Sequence, residues 1–325
     1  MRHCIDTLLP GGTDIEILIV DDGSGDRTGE IADAYQNEYP DIVRAIHKEN
    51  GGHGSGVNVG IEQAQGEFLK VVDSDDWVDQ EAYAEYLSVI KNHVDQGIEV
   101  DVYFTNFVYE NTVKNSVYVL DYRRQFPQRI VFRWEQIRDF RTGEFLMMHS
   151  LTFRVEVLRN SKVHLLEHTF YVDNIFCYQP LAYCKKLYYL PVNLYRYFIG
   201  RSDQSVNIDN MVSRYDQQLR VIDYISTLYT RDFLKSLGRK QYKYMIHHLG
   251  ILSFLTMVFI YGKYDEEKGK AYNAYLKHFK EENPDLYKQI RWKSQVVIPF
   301  LLIPPLRRRA VMAGYRIVCR ITKWG

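Results

Sequence analysis

Residues 68–77 read FLKVVDSDDW, an apolar run that ends in three carboxylates, Asp73, Asp75 and Asp76. A buried strand has no use for clustered acids at its end, because like charges this close repel one another unless a cation neutralises them. Carboxylate oxygens suit a hard ion such as Mg²⁺ or Mn²⁺. The stretch therefore predicts a strand whose carboxyl end binds a divalent ion.

The same arrangement occurs earlier, where EILIVDDGSGDRT (16–28) runs from an apolar strand into Asp21 and Asp22. Strand ends rich in Asp, Ser and Gly can be simple turns or helix N-caps. Two such ends, with the glycine-rich NGGHGSGVNVG (50–60) between them, instead favour a ligand crevice at the carboxyl edge of a parallel sheet.

Strands and helices alternate through the first third of the chain. This alternation predicts an α/β fold with a parallel sheet covered on both faces. The opening helix, 1–9, places Cys4, Ile5, Leu8 and Leu9 on one face, and Asp26 is a candidate N-cap for the next helix. The predicted strands are 16–20, 43–46, 68–72 and 100–108, and the predicted helices are 26–39, a segment from the glycine-rich turn to about 65, and 79–93.

The pattern becomes helical from 209 onward, with predicted helices at 211–229, 232–261 and 265–279. No stretch reaches the roughly 18 apolar residues that a membrane-spanning helix needs. The most apolar segment, LGILSFLTMVFIY (249–261), is therefore interpreted as a buried core helix.

The charges are divided unevenly along a chain that has no net charge. Residues 1–120 contain 23 acids and 7 Lys or Arg, whereas the remainder contains 18 acids and 34 Lys or Arg. A basic half points to anionic ligands or surfaces. The four cysteines form no CxxC pair, which predicts buried thiols rather than a zinc site or disulfides.

The tail, 291–325, contains eight Lys or Arg and no acid. It joins the apolar VVIPFLLIPPL (296–306) to an amphipathic segment, and Pro299, Pro304 and Pro305 argue against a continuous spanning helix. A basic amphipathic segment beside a short apolar one suits the headgroup layer of an anionic membrane. The alternative is a terminal helix packed on the protein body.

These motifs together resemble a known family. VDDGS (20–24), the pattern N-x-G-x-x-x-x-x-N-x-G (50–60) and DSDDW (73–77) have the order and spacing seen in inverting family 2 glycosyltransferases. The opening MRHCIDTLL is similar to that family's first helix. The resemblance is strong over 1–110 and weaker over 111–205. It implies the GT-A fold, a Rossmann-like α/β arrangement with a mixed sheet, here followed by a helical C-terminal region.

The resemblance implies a role for each acid. Asp22 would accept a hydrogen bond from the nucleotide base, and Asp73 would face the ribose. Asp75 would bind the divalent ion, Mn²⁺ or Mg²⁺, that bridges the diphosphate, with Asp76 as a second ligand. An ion there stabilises the departing diphosphate. The glycine-rich turn would allow close backbone approach to the donor, and the other implied donor-binding residues are Asp21, Asn50, Gly52 and Asn58.

An inverting transferase also needs a base for the attacking hydroxyl. The family places an acid before an apolar helix, and HTFYVDNIFCYQPL (168–181) occupies that place. Asp173 is thus implied as the catalytic base, with Val172 where the family often has Glu. The alternative is that Asp173 caps a helix beginning near Asn174.

Beyond Asp173, LYRYFIGRSDQSVN (194–207) resembles the family's loop that closes over the pyrophosphate. Arg201 and Ser205 are therefore implied as donor contacts, since Arg matches phosphate bidentately. A salt bridge from Arg201 to a surface acid is the alternative. His149 and His168 are interpreted as structural, because an isolated histidine carries no spacing signal.

The resemblance implies a metal-dependent, inverting, non-processive glycosyltransferase that moves one sugar from a UDP-sugar to a cell-envelope saccharide or lipid-linked acceptor. No nucleic acid partner is expected. The alternative is a non-catalytic sugar-nucleotide-binding or scaffolding protein on the same fold. We expect a nucleotide-sugar-binding half (1–110), an acceptor-binding half (111–208), a helical region (209–290), and a tail (291–325) that holds the protein at the cytoplasmic face of the membrane.

The family's first strand, which helps to hold the nucleotide base, has no counterpart before the opening helix. Strand 16–20 would then lack a parallel neighbour and leave backbone groups unsatisfied. We therefore expect the coding sequence upstream of Met1 to encode, in frame, roughly 15–25 residues with an apolar strand, a length set by one strand and its turn. A stop codon directly upstream, together with full activity of the 325-residue chain, would contradict this expectation.

Overall fold

The computed structural model describes residues 1–111, 115–200, 208–293, 302 and 304–322. Contacts divide the chain into two compact units. The first contains Met1–Arg138 and Leu146–Gly200, and the second contains Asp139–Phe145 and Arg201–Gly325. The two predicted halves of the nucleotide-sugar transferase domain thus fall mainly in one unit.

The first unit alternates helices and strands, as the sequence predicts. Its α-helices are α1 (Arg2–Leu8), α2 (Thr28–Glu38), α3 (His53–Gln63), α4 (Gln80–Asp95), α5 (Val155–Asn160) and α6 (Asp173–Phe176). Its strands are β1 (Ile17–Asp21), β2 (Val43–His47), β3 (Phe68–Leu69), β4 (Trp77–Val78), β5 (Val102–Asn111), β6 (Ser116–Leu120), β7 (Val131–Phe132), β8 (Leu151–Arg154) and β9 (Leu187–Ile199).

The main sheet is mixed rather than purely parallel. Its strand order is β3-β8-β5-β9-β4, with β6 added to β5 and β7 to β9. Strand β5 is parallel to β9 but antiparallel to β8, and its first eight residues are buried. This is the mixed sheet that the resemblance implies, although the alternation of strands and helices alone suggests a parallel one: β3 pairs antiparallel with β8, and β4 pairs antiparallel with β9.

Strand β1 pairs in parallel with β2 and forms a separate two-stranded sheet. The expectation that β1 lacks a parallel neighbour is therefore wrong as stated, because Val43–His47 supplies one. Within the described residues, β1 and β3 belong to different sheets. Strand β3 is also shorter than the predicted 68–72, since its ladder pairing ends at Leu69. The upstream strand stays a prediction.

Acidic side chains lie at the N-termini of two helices. The Thr28 amide donates to Asp26 Oδ1 at 2.9 Å, but the N-cap of α2 is Arg27, one residue after the predicted Asp26. The Ala82 amide donates to Asp79 Oδ1 at 3.1 Å, at the start of α4. Such side chains satisfy amides that have no partner within the helix. The Asp79 side chain caps α4 and fixes where that helix begins, directly after β4.

The second unit is helical, with more breaks than the sequence predicts. Its helices are α7 (Ile208–Ser213), α8 (Tyr215–Leu228), α9 (Arg231–Ser236), α10 (Arg239–Gly262), α11 (Glu266–Glu282), α12 (Pro284–Arg291) and α13 (Pro304–Thr322). The predicted helix 232–261 is divided at Gly238, whose φ of 94° is a glycine conformation. Helix α10 is long and apolar enough to cross a membrane, but 83% of its most apolar window is buried, as expected for a core helix.

The C-terminal helix α13 packs against α10. Val311 is fully buried, Arg307 Nη1 donates to Tyr261 Oη at 3.0 Å, and a Cβ at Gly314 would lie 3.1 Å from the ring of Phe254. One face of the tail therefore packs on the protein body, as the alternative interpretation requires. Most of the apolar segment 296–306 lies outside the described residues.

Candidate active site

The DSDD segment follows β3 and is held by Tyr195 of β9. The Asp73 amide donates to Tyr195 Oη at 3.1 Å, and Tyr195 Oη donates to Asp76 Oδ2 at 2.5 Å. The Phe198 amide donates to Asp76 Oδ1 at 2.8 Å. Asp76 is 1% exposed, and burial raises its pKa to about 8 despite these hydrogen bonds. Asp75, by contrast, is exposed.

His53, the first residue of α3, contacts the first acid of the segment. Its Nε2 lies 3.1 Å from Asp73 Oδ1. Burial favours the neutral form of Asp73, but the hydrogen bond and the charge of His53 outweigh it and hold the pKa of Asp73 below its usual range. Asp73 is therefore an ionised carboxylate between the glycine-rich turn and β9.

His149 lies beside both acids. One ring nitrogen of His149 and one carboxylate oxygen from each of Asp73 and Asp76 lie within 4.8 Å of one another; these residues are the acid–histidine cluster. The His149 ring centroid is 4.7 Å from that of Tyr195 and 4.3 Å from that of Tyr197. Its buried Nδ1 has no hydrogen-bond partner in the described part of the chain, a state that costs about 1–3 kcal/mol for a buried polar group.

The acid–histidine cluster fits a divalent metal ion. Two carboxylates and a neutral imidazole are suitable ligands, and burial lowers the pKa of His149 to about 4, so that its ring is neutral. Each oxygen of Asp76 accepts one hydrogen bond and keeps a second lone pair, which is the usual state of a ligating carboxylate. The cluster joins Asp76 to Asp73 and His149 but not to Asp75, although the resemblance pairs Asp76 with Asp75.

Lys70 is a further charged group beside the cluster. Its Nζ donates to the carbonyl oxygen of His149 at 2.7 Å and lies 5.3 Å from the centroid of the Tyr195 ring. Burial lowers its pKa to about 7, and the charge of Asp73 opposes that shift. The sequence signal for this residue is a lysine within an otherwise apolar strand end, FLKVV.

Asp22 organises the glycine-rich turn. Its carboxylate accepts from the Gly51 and Gly52 amides at 2.9 and 2.6 Å and from Lys48 Nζ at 2.6 Å. Asn50 Nδ2 donates to the Asp22 carbonyl oxygen at 2.9 Å. Gly52 has a φ of 83°, a backbone conformation that residues with a side chain rarely adopt. A hydrogen bond from the nucleotide base to Asp22 stays a prediction, and it competes with these protein donors.

The turn before Asp173 packs on the glycine-rich turn. The His168 amide donates to the Gly51 carbonyl oxygen at 2.6 Å. His168 and Tyr171 have φ values of 46° and 65°, a conformation that costs non-glycine residues about 1–3 kcal/mol and concentrates at functional sites. The strained turn fixes the start of α6, and therefore Asp173, close to the glycine-rich turn.

The charges of His53 and Asp73 act on the Asp173 carboxyl group. Burial raises its pKa, the charge of His53 opposes this shift, and the charge of Asp73 adds to it. Helix α6 begins at Asp173 itself, with Val172 as the N-cap. That start is one residue earlier than the capping alternative requires, and a carboxyl group with a raised pKa is suited to accept a proton.

Residues 1–159 match the family profile described as glycosyl transferase family 2. This chain carries a family 2 glycosyl transferase domain. The matched residues include the DSDD segment, the glycine-rich turn and His149. Asp173 lies beyond the matched range but in the same structural unit.

Several named proteins are similar in sequence to this chain. EpsH of Bacillus subtilis (strain 168) is 29% identical over 234 residues, which are 67% of this chain and 60% of EpsH. TarS of Staphylococcus aureus, a poly(ribitol-phosphate) β-N-acetylglucosaminyltransferase, is 37% identical over 81 residues, which are 25% of this chain and 14% of TarS. The chain thus spans less than two thirds of either relative.

A solved structure confirms the fold. The crystal structure of S. aureus TarS 1–349 matches with a TM-score of 0.63 at 18% sequence identity, over 99% of this chain and 87% of that one. The predicted α/β GT-A fold, with a mixed sheet and a helical C-terminal region, is therefore confirmed.

Two of the predicted donor-binding residues hydrogen-bond within the protein, and their contacts with the donor stay predictions. Asn58 Nδ2 donates to the Leu165 carbonyl oxygen at 2.9 Å, and the Leu165 amide donates to Asn58 Oδ1 at 2.8 Å. Asp21 accepts from the Ser24 amide at 3.1 Å and lies 3.1 Å from His47 Nδ1. Both ends of the Asn58 amide are thereby used to hold the chain before Asp173, so the structure gives Asn58 a positioning role.

The predicted donor contacts Arg201 and Ser205 lie outside the described residues. Conversely, sequence reasoning did not select His53 or Tyr195, and it interpreted His149 as structural. The available signals were a histidine inside a glycine-rich turn and the spacing Tyr-x-Tyr in β9. Neither signal is specific without the tertiary structure.

Proposed function

We propose that the protein is a metal-dependent, inverting glycosyltransferase that moves a single sugar from a UDP-sugar to a saccharide or lipid-linked acceptor of the cell envelope. The observation that carries the proposal is the acid–histidine cluster of Asp73, Asp76 and His149, with Asp173 in the same electrostatic environment. A TarS structure in complex with UDP-GlcNAc supports a UDP-linked donor.

In this proposal, the glycine-rich turn and the DSDD segment act on the donor, and Asp173 acts on the acceptor. The turn organised by Asp22 leads into α3, and the N-terminus of a helix favours the phosphates of the donor. Asp173 accepts the proton of the acceptor hydroxyl, whose oxygen then attacks the anomeric carbon in a single displacement. A divalent ion held by the acid–histidine cluster, with Asp75 beside it, would supply the positive charge that stabilises the departing diphosphate.

A donor screen tests this proposal. The full chain is incubated with a panel of UDP-sugars, with and without Mn²⁺, and both thermal stability and released UDP are measured. Donor binding stabilises the folded state by mass action, so we expect Mn²⁺-dependent stabilisation by one donor and slow release of UDP from it. Stabilisation without UDP release, even with an envelope extract as the source of acceptor, would favour the non-catalytic alternative.

We also propose that the protein lies at the cytoplasmic face of the membrane, where a lipid-linked acceptor is available. The support is the outward side of α13, on which Arg308, Arg309 and Arg316 are exposed. Leu306 and Ile317 are 45% and 56% exposed on the same helix. Basic and apolar groups presented together suit binding to anionic headgroups.

Charge reversal on α13 tests the membrane proposal and keeps the buried side of the helix at Val311. Of the three arginines, Arg308 also contacts the end of α10, where its Nη2 donates to the Gly262 carbonyl oxygen at 3.4 Å. The variant R308E/R309E/R316E should lose most binding to anionic vesicles, because each basic residue near such a surface contributes about 1 kcal/mol. Co-sedimentation with phosphatidylglycerol vesicles at low and high salt measures this. We expect wild-type binding to weaken as salt rises.

A matched control makes the same change of charge on another helix. Lys270, Lys277 and Lys280 are exposed on α11, and K270E/K277E/K280E should bind vesicles nearly as well as the wild type. Equal losses in both variants would mean that net charge, and not α13, determines binding. Unchanged binding after reversal of α13 would remove the membrane proposal.

A further inference from the structure

The His149 side chain is placed like a ligand that lacks its partner. It is 7% exposed, and its Nδ1 makes no hydrogen bond among the described residues. Its ring contacts the rings of Tyr195 and Tyr197, and its backbone carbonyl accepts from Lys70. A buried polar group without a partner is rare in folded proteins, and this one lies beside two carboxylates.

We propose that His149 is a nitrogen ligand to the divalent ion of the site, together with Asp73 and Asp76, and that the site selects Mn²⁺ over Mg²⁺. The inference rests on the proposed function, because it concerns the ion of that reaction. It adds a ligand that the DSDD segment does not contain.

The geometry of the acid–histidine cluster supports one shared ion. The candidate ligand atoms lie within 4.8 Å of one another. Ligands at about 2.1 Å from an octahedral ion are roughly 3 Å apart when adjacent and about 4 Å apart when opposite, so small side-chain movements close the site. The ion can enter from the side of Asp73, which is the more exposed acid of the pair.

The groups around the cluster orient each ligand. Tyr195 Oη and the Phe198 amide bind the two oxygens of Asp76, His53 binds one oxygen of Asp73, and the tyrosine rings fix the plane of His149. Such outer contacts hold ligands in place before the metal arrives. The imidazole is neutral at physiological pH, which metal binding requires.

The nitrogen ligand determines the metal preference. Mg²⁺ is a hard ion that takes oxygen ligands and demands near-ideal octahedral geometry. Mn²⁺ also suits carboxylates, but it belongs to the first-row transition-metal series, whose ions bind sites with nitrogen ligands. A site of two carboxylates and one imidazole therefore favours Mn²⁺ among the two ions that the sequence suggests. Without His149, the remaining oxygen ligands would discriminate less between them.

Electron spin-echo spectroscopy of Mn²⁺ bound to the full chain, with UDP present, tests the proposal directly. A coordinated imidazole gives a ¹⁴N modulation, which we expect in the wild type and in H53Q but not in H149Q. Calorimetric titration should show that H149Q loses at least the roughly 10–100-fold in Mn²⁺ affinity that even outer-shell changes cost, with a smaller change for Mg²⁺.

Each outcome separates the ligand proposal from the proposed activity. Bound Mn²⁺ without ¹⁴N modulation, or modulation that persists in H149Q, overturns the role of His149 even if UDP release is intact. Modulation that depends on His149 supports the ligand role, even in a protein that releases no UDP. If H149Q does not fold, the wild type and H53Q are instead labelled with [¹⁵N]histidine. A change from ¹⁴N to ¹⁵N modulation in both labelled proteins would show that a histidine other than His53 binds the ion.

Discussion

Replacement of Asp173 by Asn should lower turnover by about 10²–10⁴-fold, the usual contribution of a positioned base. Donor affinity should stay near that of the wild type, because the glycine-rich turn and the DSDD segment are unchanged. The substitution keeps the size of the side chain and removes only its ability to accept the acceptor's proton. Initial rates of UDP release with saturating acceptor, and donor binding by calorimetry, measure the two quantities separately.

The exposed acid Asp95, at the end of α4, provides the matched control. D95N changes the same chemistry far from the strained turn and should keep wild-type turnover. Persistent turnover in D173N would place the base elsewhere, with Glu167 as the nearest substitute in the chain. Glu167 Oε1 accepts from Ser55 Oγ at 3.4 Å, so it lies next to α3.

The pH dependence of turnover should also identify Asp173 as the base. The base must be ionised to accept a proton, and burial raises the pKa of Asp173. The rate should therefore rise with pH through a value above the ordinary carboxylate range, and D173N should remove this rising limb. A rising limb that is unchanged in D173N would assign the titration to another group.

The sequence predicts the parts of the site that are local. Asp73, Asp75 and Asp76 follow one apolar run, so the strand, its acidic end and the following helix can be recognised from a single stretch. The helix boundary at Asp79 also follows from local chemistry, since an acid at that position satisfies free amides. The fold class depends on the order of such elements and is confirmed by the structure.

The parts that depend on long-range contacts could not be predicted in this way. Asn58 has the family's spacing, but its amide binds Leu165, which is 107 residues away along the chain. His149 becomes a neighbour of Asp73 and Asp76 only through tertiary packing, which also brings its ring into contact with those of Tyr195 and Tyr197. No periodicity in the sequence encodes either contact.

Replacement of Asp75 by Ala should abolish transfer and remove the metal dependence of donor binding. Asp75 is the exposed acid of the DSDD segment, and the resemblance gives it the ion that bridges the diphosphate. Because the departing diphosphate gains negative charge, loss of the ion removes stabilisation that acts in the transition state. UDP-sugar affinity measured with and without Mn²⁺ tests this, with D95A as the control for a surface acid.

The same experiment distinguishes two possible sets of metal ligands, one that includes Asp75 and one formed by the acid–histidine cluster alone. If Asp75 is an essential ligand, D75A and D76N should both lose the Mn²⁺ dependence, although only Asp76 lies in the acid–histidine cluster. If the cluster alone holds the ion, D75A should keep Mn²⁺-dependent binding of the UDP-sugar while D76N loses it. That second result would contradict the assignment of the ion to Asp75. It would leave Asp73, Asp76 and His149 as the metal site, with Asp75 at its exposed edge.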